Sequence, residues 1–224
     1  MVIVIILIER NCGADRHLAL FSAVFVTIQL MEFFAWLSIE RKDRHLNGLV
    51  TRLILVCLWA QPLINSYMAM KGATSQAGKY TMAVFVAVFA VLMLGAVVMA
   101  FKDGVSSKVM KSDLFTTTTG PNCHLMWKRR VKCANGQTKP ANGFMANHTA
   151  LSAIYLIGLF VPILFVKPFK KGLLLALLGF FLLVLARQAS SKEEFGSWWC
   201  WVAAVFVIVA LIYKTPNDPE YESC

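Results

Sequence analysis

The chain has 224 residues, 58% hydrophobic and only 15% charged, with a formal net charge of +10 and a mean hydropathy of +0.64. A soluble domain carries about 25% charged residues spread through its length, whereas here the charges sit in short clusters between long apolar runs. That pattern excludes an ordinary soluble domain, and it assigns the basic excess to loops beside anionic headgroups rather than to nucleic-acid binding.

The first apolar run, Met1 to Ile8, is too short to span a bilayer and ends at Glu9 and Arg10. It lacks the basic start and small-residue cleavage site of a secretory signal. It reads as an interfacial stub or as the end of a helix that begins upstream, the second being preferred. Six later runs are long enough to span, at about 18–38, 49–70, 80–101, 148–166, 172–188 and 197–213. The fifth is close to the lower limit of roughly 17 residues. Lipid cannot satisfy free backbone groups and the runs lack barrel alternation, so each is expected to be a helix. The expected fold is an all-α, multi-pass transmembrane bundle in one domain, with a hydrophilic loop at 102–147 between two three-helix halves. Nothing in the sequence selects an oligomeric state or a particular membrane.

Lys and Arg are more numerous on the side that carries Arg41, Lys42, Arg44, Arg52 and the long loop. The positive-inside rule therefore puts that loop in the cytoplasm and the acidic tail (Asp218, Glu220, Glu222) outside.

Glu32, in Gln29-Leu-Met-Glu32-Phe-Phe-Ala-Trp36, is the most informative residue. An acid within a span normally faces the bundle interior or water, paired or protonated. Helical spacing puts Gln29 and Trp36 on its face. It reads as a proton, cation or substrate site, or as a structural hydrogen bond between helices. In the second span, Gln61-Pro62-Leu-Ile-Asn65-Ser66 places polar groups around a proline, where a kink can open a cavity or be closed by interhelical hydrogen bonds. Pairing of Glu32 with Gln61 or Asn65 is the preferred contact. At the head of the fourth span His148, Ser152 and Tyr155 form a polar stripe. This reads as a pore lining or acid/base group, or as ordinary interfacial His and Tyr.

In the long loop, Cys123, His124 and Cys133 lack a fourth ligand and a workable spacing, so no metal site is read. Trp127 with Lys128–Lys132 reads as a headgroup anchor, and Trp198, Trp199 and Trp201 as an interfacial belt or a ligand-pocket cap. The six cysteines include Cys57 and Cys200 inside apolar runs, where cysteine behaves as a small hydrophobe, and no disulfide framework follows. The sequence contains no GxSxG, HExxH or phosphate-binding glycine loop, so no cofactor is implied. No span has the mid-helix lysine of a retinal site or the arginines of a voltage sensor.

Glu32-Phe-Phe-Ala-Trp36, Gln61-Pro62 with Asn65, and Gly120-Pro121 with His124 and Trp127 carry a family resemblance. So do Asn147-His-Thr-Ala150 with Gly158-Leu-Phe-Val-Pro162, and Glu194-Phe-Gly-Ser-Trp198. Together they resemble an uncharacterised polytopic membrane family of large DNA viruses and algae. The resemblance implies no activity, but it implies an additional leading helix, which agrees with Met1–Ile8 as a helix end.

The functional expectation is a small transporter or channel with Glu32 in its pathway, taking a small ion or lipid ligand. The alternatives are an intramembrane lipid-modifying enzyme using Glu32 with His148 or His124, and a non-catalytic scaffold. A tag at Cys224 is expected to be digested by protease added outside intact cells; protection would reverse the orientation.

Overall fold

The computed structural model describes residues 13–112, 114–132, 137–140, 149–165, 169–190 and 194–200, together with residues 5 and 208. Three long helices come first: α1 (Gly13–Glu40), α2 (Arg44–Gly72) and α3 (Gln76–Phe101). The α1–α2 turn is a Schellman closure, in which Asp43 N–H bonds Ser38 O at 2.9 Å and Lys42 N–H bonds Ile39 O at 3.1 Å. Lys42 takes the left-handed position with φ 54°, where glycine is usual. Asp43 then caps α2, accepting from the backbone N–H of His45 and Leu46 at 2.9 and 3.1 Å. Ser75 caps α3 through Gly78 N–H in the same way.

The stretch expected to be a hydrophilic loop holds a short helix α4 (Ser107–Met110) and three strands, β1 (Phe115–Thr119), β2 (Leu125–Lys132) and β3 (Thr138–Pro140). They form an antiparallel sheet in the order β1-β2-β3, with Thr117 opposite Trp127 and Val131 opposite Lys139. The all-α expectation thus holds for the bundle and fails for this insert. Four consecutive threonines, with Trp127 and Val131 on the facing strand, favour extended backbone.

Beyond the sheet come α5 (Thr149–Phe160), a 3-10 turn (Pro162–Phe165) and α6 (Phe169–Ala189). The expected continuous fourth span is therefore a helix of 12 residues and a separate turn. At 1.5 Å per residue α5 covers about 18 Å, short of a hydrocarbon core of about 30 Å. Pro162 disfavours helix at the residue before it, which accounts for the break. Pro62, in contrast, leaves α2 continuous. Among the described residues, four helices are long and apolar enough to cross a membrane: His17–Glu40, Arg44–Gly72, Gln76–Phe101 and Gly172–Ala189. Of the expected sixth span, a helical segment at 195–200 and residue 208 lie within the described residues.

Helix α2 is the hub, packing against α1, α3, α4, α5, the 3-10 turn and β1. One apolar cluster joins Phe21, Phe25, Trp59, Phe89, Tyr155, Leu159, Leu182 and Trp199 across the bundle. A second joins Ile28, Ile54 and Leu58 to Cys200 and to Leu125 of β2, so the hairpin inserts an apolar side chain between the helices. The outer faces are also apolar: Val84, Val91, Leu94 and Val98 of α3 and Leu177, Phe180 and Phe181 of α6 are all more than half exposed.

The β1–β2 hairpin is bolted to α2 by polar side chains. Asn47 Nδ2 donates to Thr117 O at 3.0 Å, and Thr117 N–H donates to Asn47 Oδ1 at 2.9 Å, so the amide acts as a strand neighbour to β1. Asn47 Nδ2 also donates to Ser38 Oγ, and the Thr51 and Thr117 hydroxyls bond at 2.7 Å. Arg52 was grouped by sequence with the loop charges; the structure buries it within α2 at 1% exposure. Its guanidinium donates to Ala100 O, Gly48 O and Val109 O at 2.9, 2.8 and 3.1 Å and lies over the Phe115 ring at 4.5 Å. It thereby joins α2, the end of α3, α4 and β1. A β-carbon at Gly48 would sit 1.9 Å from Met110 O, so only glycine permits this approach.

Arg52→Leu removes three charge-assisted hydrogen bonds and is expected to destabilise the protein by roughly 3–5 kcal/mol. Arg52→Lys should recover part of the loss, because one ammonium cannot serve three diverging carbonyls as a planar fork does. Thermal unfolding in detergent should therefore rank wild type above Arg52→Lys and Arg52→Lys above Arg52→Leu.

Candidate functional site

The interior of the bundle is polar along two connected sets of side chains. The deeper set begins at Asn65, which is fully buried. Its Nδ2 donates to Gly158 O and Leu159 O at 3.0 and 2.8 Å, meeting carbonyls that the end of α5 leaves without intrahelical donors. Its Oδ1 is hydrogen-bonded to His17 Nε2 of α1. One turn earlier on α2, Gln61 Oε1 accepts the Tyr155 hydroxyl hydrogen bond from α5. Gly158 makes this approach possible, since a β-carbon there would fall 2.2 Å from the Phe89 ring and 2.6 Å from Pro62. Ser66 bonds only within its helix, to Pro62 O.

The second set centres on Glu32, 4% exposed. Its carboxyl group is in hydrogen-bonding reach of Ser197 on the helical segment 195–200 and of Gln29 one turn back on α1. Glu32 Oε1 and Gln29 Nε2 are nonetheless buried without a well-formed hydrogen bond. Cys200, on the same segment as Ser197, is buried near both Glu32 and Tyr155. The two sets are thus neighbours, linked through Cys200.

Glu32, Gln29, Gln61, Asn65 and Tyr155 are therefore brought into one interior. The partners differ from the preferred pairing of Glu32 with Gln61 or Asn65: those amides face α5 and His17, and the acid faces Ser197. Trp36 points outward, 41% exposed, although it shares the helical stripe of Glu32. Ser152 is half-buried on α5, while His148 and Trp201 lie outside the described residues. Trp199 is buried against Phe25 and Phe160 rather than at an outer edge. Trp127 packs with the second apolar cluster, and Trp198 stacks on His124 with ring centroids 4.3 Å apart. Of the loop residues weighed as ligands, Cys123 is an exposed free thiol and Cys133 lies outside the described residues.

Ser197, Cys200 and His17 were not singled out as site residues from the sequence. Only the spacing of Ser197 and Cys200, three apart at the head of an apolar run, marks them as one face of a helix. His17 lies just before its apolar run in the sequence, and only the structure shows it buried against Asn65.

The hairpin turn closes over this end of the bundle. Asn122 N–H donates to Glu194 Oε1 at 2.9 Å and Asn122 Nδ2 to Glu194 Oε2 at 2.7 Å. A β-carbon at Gly120 would fall 2.2 Å from the Glu194 carboxylate, and one at Gly196 would fall 2.6 Å from the Trp127 ring. Two motifs more than 70 residues apart, Gly120-Pro-Asn-Cys-His124 and Glu194-Phe-Gly-Ser-Trp198, thus fit together as one contact.

These motifs fall within a match to a family model that covers residues 2–217. The chain belongs to DUF5765, a family of unknown function. No curated protein and no solved structure matches it. For this DUF5765 protein the site must therefore be read from its own chemistry. That chemistry is a buried acid beside the Ser197 hydroxyl, the Gln29 amide and the Cys200 thiol.

Asn65→Ala strands two carbonyls of α5 and His17, and is expected to cost on the order of 3 kcal/mol in thermal or denaturant unfolding. Ser66→Ala, which removes only a hydrogen bond within α2, should cost about 1 kcal/mol or less. Equal effects of the two substitutions would contradict the interhelical role of Asn65.

Proposed function

We propose that this protein is a multi-pass integral membrane protein that acts as a small transporter or channel, binding a small cation, protons included, at Glu32. The observation that carries the reading is a carboxyl group buried in the bundle, next to Ser197, with one oxygen lacking a good donor. An intramembrane acid normally marks an ion or proton pathway, because holding it in a dry interior for no purpose is expensive. The surroundings support this. Gln61, Asn65 and Tyr155 face inward, whereas α3 and α6 turn valine, leucine and phenylalanine outward. Helix α5 also ends inside the bundle, with its last carbonyls turned towards Asn65. Helix C-termini of this kind attract positive charge and recur at transporter sites. Six spans, the basic loop in the cytoplasm and an origin in large DNA viruses or algae complete the proposal.

A scaffold is the second reading, favoured by the closed pairs His17–Asn65 and Tyr155–Gln61, which tie α1, α2 and α5 together. Purified protein in liposomes separates the two. Under a proton or alkali-cation gradient, wild type is expected to dissipate the gradient, and Glu32→Gln to fall to the rate of protein-free vesicles while retaining its unfolding temperature. Equal fluxes for wild type, Glu32→Gln and empty vesicles would leave the scaffold.

A further inference from the structure

The segment 194–200 carries two sets of contacts, one with the hairpin and one with the helices. Towards the hairpin, Glu194 is gripped by the Asn122 backbone and side chain at 2.9 and 2.7 Å. Gly196 lies under the Trp127 ring and Trp198 stacks on His124. Towards the bundle, Ser197 reaches the Glu32 carboxyl group, and Cys200 and Trp199 sit beside Tyr155. Six residues of helix extend about 9 Å, so these contacts share one rigid turn and a half. The hairpin itself cannot slide, because Asn47 and Thr51 fasten β1 to α2. The turn at 120–124 is closed by Gly120 N–H to His124 O at 2.7 Å, with Cys123 in the left-handed region at φ 58°.

We propose that Asn122 and Glu194 are positioning residues for the Glu32 site: the hairpin turn sets the start of the last helical segment, and through it the distance between Ser197 and Glu32. The inference deepens the cation-site reading and rests on it for its functional meaning. It adds that a residue outside the apolar spans adjusts a carboxyl group inside them. The Asn122–Glu194 contact is a charge-assisted pair made by two donors on one carboxylate, a geometry that holds position as well as contributing energy. Its release lets the 194–200 turn shift as a unit and withdraws the Ser197 hydroxyl from Glu32.

Infrared difference spectroscopy of the full chain in lipid tests this without requiring transport. The Glu32 carboxyl vibration is identified as the band lost in Glu32→Gln, and Ser197→Ala is expected to move it. Asn122→Ala should move the band in the same direction, and the double variant Asn122→Ala with Ser197→Ala no further than Ser197→Ala alone. Glu194→Leu is of similar size and removes both acceptors of the contact; it should move the band likewise. Reversing donor and acceptor with Asn122→Asp and Glu194→Gln together should keep the wild-type position. Should Asn122→Ala fail to fold, Glu194→Leu and the reversed pair carry the same test. A band that stays at its wild-type position in the folded Asn122→Ala or Glu194→Leu variant overturns the inference, as does one unmoved by Ser197→Ala. Absence of flux from wild-type liposomes, with the band shifts present, overturns the transport reading alone.

Discussion

An interior without water leaves a helix end with carbonyls that another part of the chain must meet, and α2 supplies the donors. Near its start Arg52 takes carbonyls at the end of α3 and in α4, and Asn47 completes the edge of β1. Near its other end Asn65 takes two carbonyls from the end of α5. The elements around α2 are therefore placed by its polar side chains as much as by apolar packing. Asn47, Thr51, Gln61 and Asn65 recur at helical spacing, with Ile54 and Leu58 between them in the second apolar cluster. Two polar ends separated by an apolar middle give the bundle its register, since sliding α2 by one turn would break every pair at once.

Glu32 stands apart from this accounting. The buried amides Asn47 and Asn65 and the guanidinium of Arg52 have their principal groups matched, whereas Glu32 Oε1, like Gln29 Nε2, Gln61 Nε2 and His17 Nδ1 around it, is buried without a hydrogen-bond partner. An imperfectly paired acid in a dry site is costly to keep as a purely structural element. Asn65 and Arg52, whose groups are matched, are structural in this interior; the cation site proposed above draws on the acid that is not.

The arrangement of apolar surface is the reverse of a soluble bundle. Helix α3 has the most apolar sequence of the long helices yet buries few of its side chains, mainly Met82, Phe89, Ala96 and Ala100. Helix α2 is less apolar and buries the most. In the bilayer setting proposed above, burial selects polar pairing and small-residue contact instead of apolar area. Gly158 against Phe89 and Pro62, and Gly48 against Met110, are such contacts.

The sequence by itself determined the long helices, because runs of apolar residues and the capping residues Asp43 and Ser75 are local signals. It also determined that Glu32, Gln61, Asn65 and Tyr155 are unusual, since a polar residue in an apolar run is visible without any partner. Only the tertiary structure decided which of them meet. Pairing of Asn65 with His17 and of Asn122 with Glu194, and the approach of Ser197 to Glu32, bring together residues 48, 72 and 165 positions apart, and no local pattern encodes such distances. It likewise decided that Arg52 is a clamp and not a loop charge, and that Trp199 is core and not belt. Charge and aromaticity describe what a side chain can do; the helices that close around it determine which of those things it does.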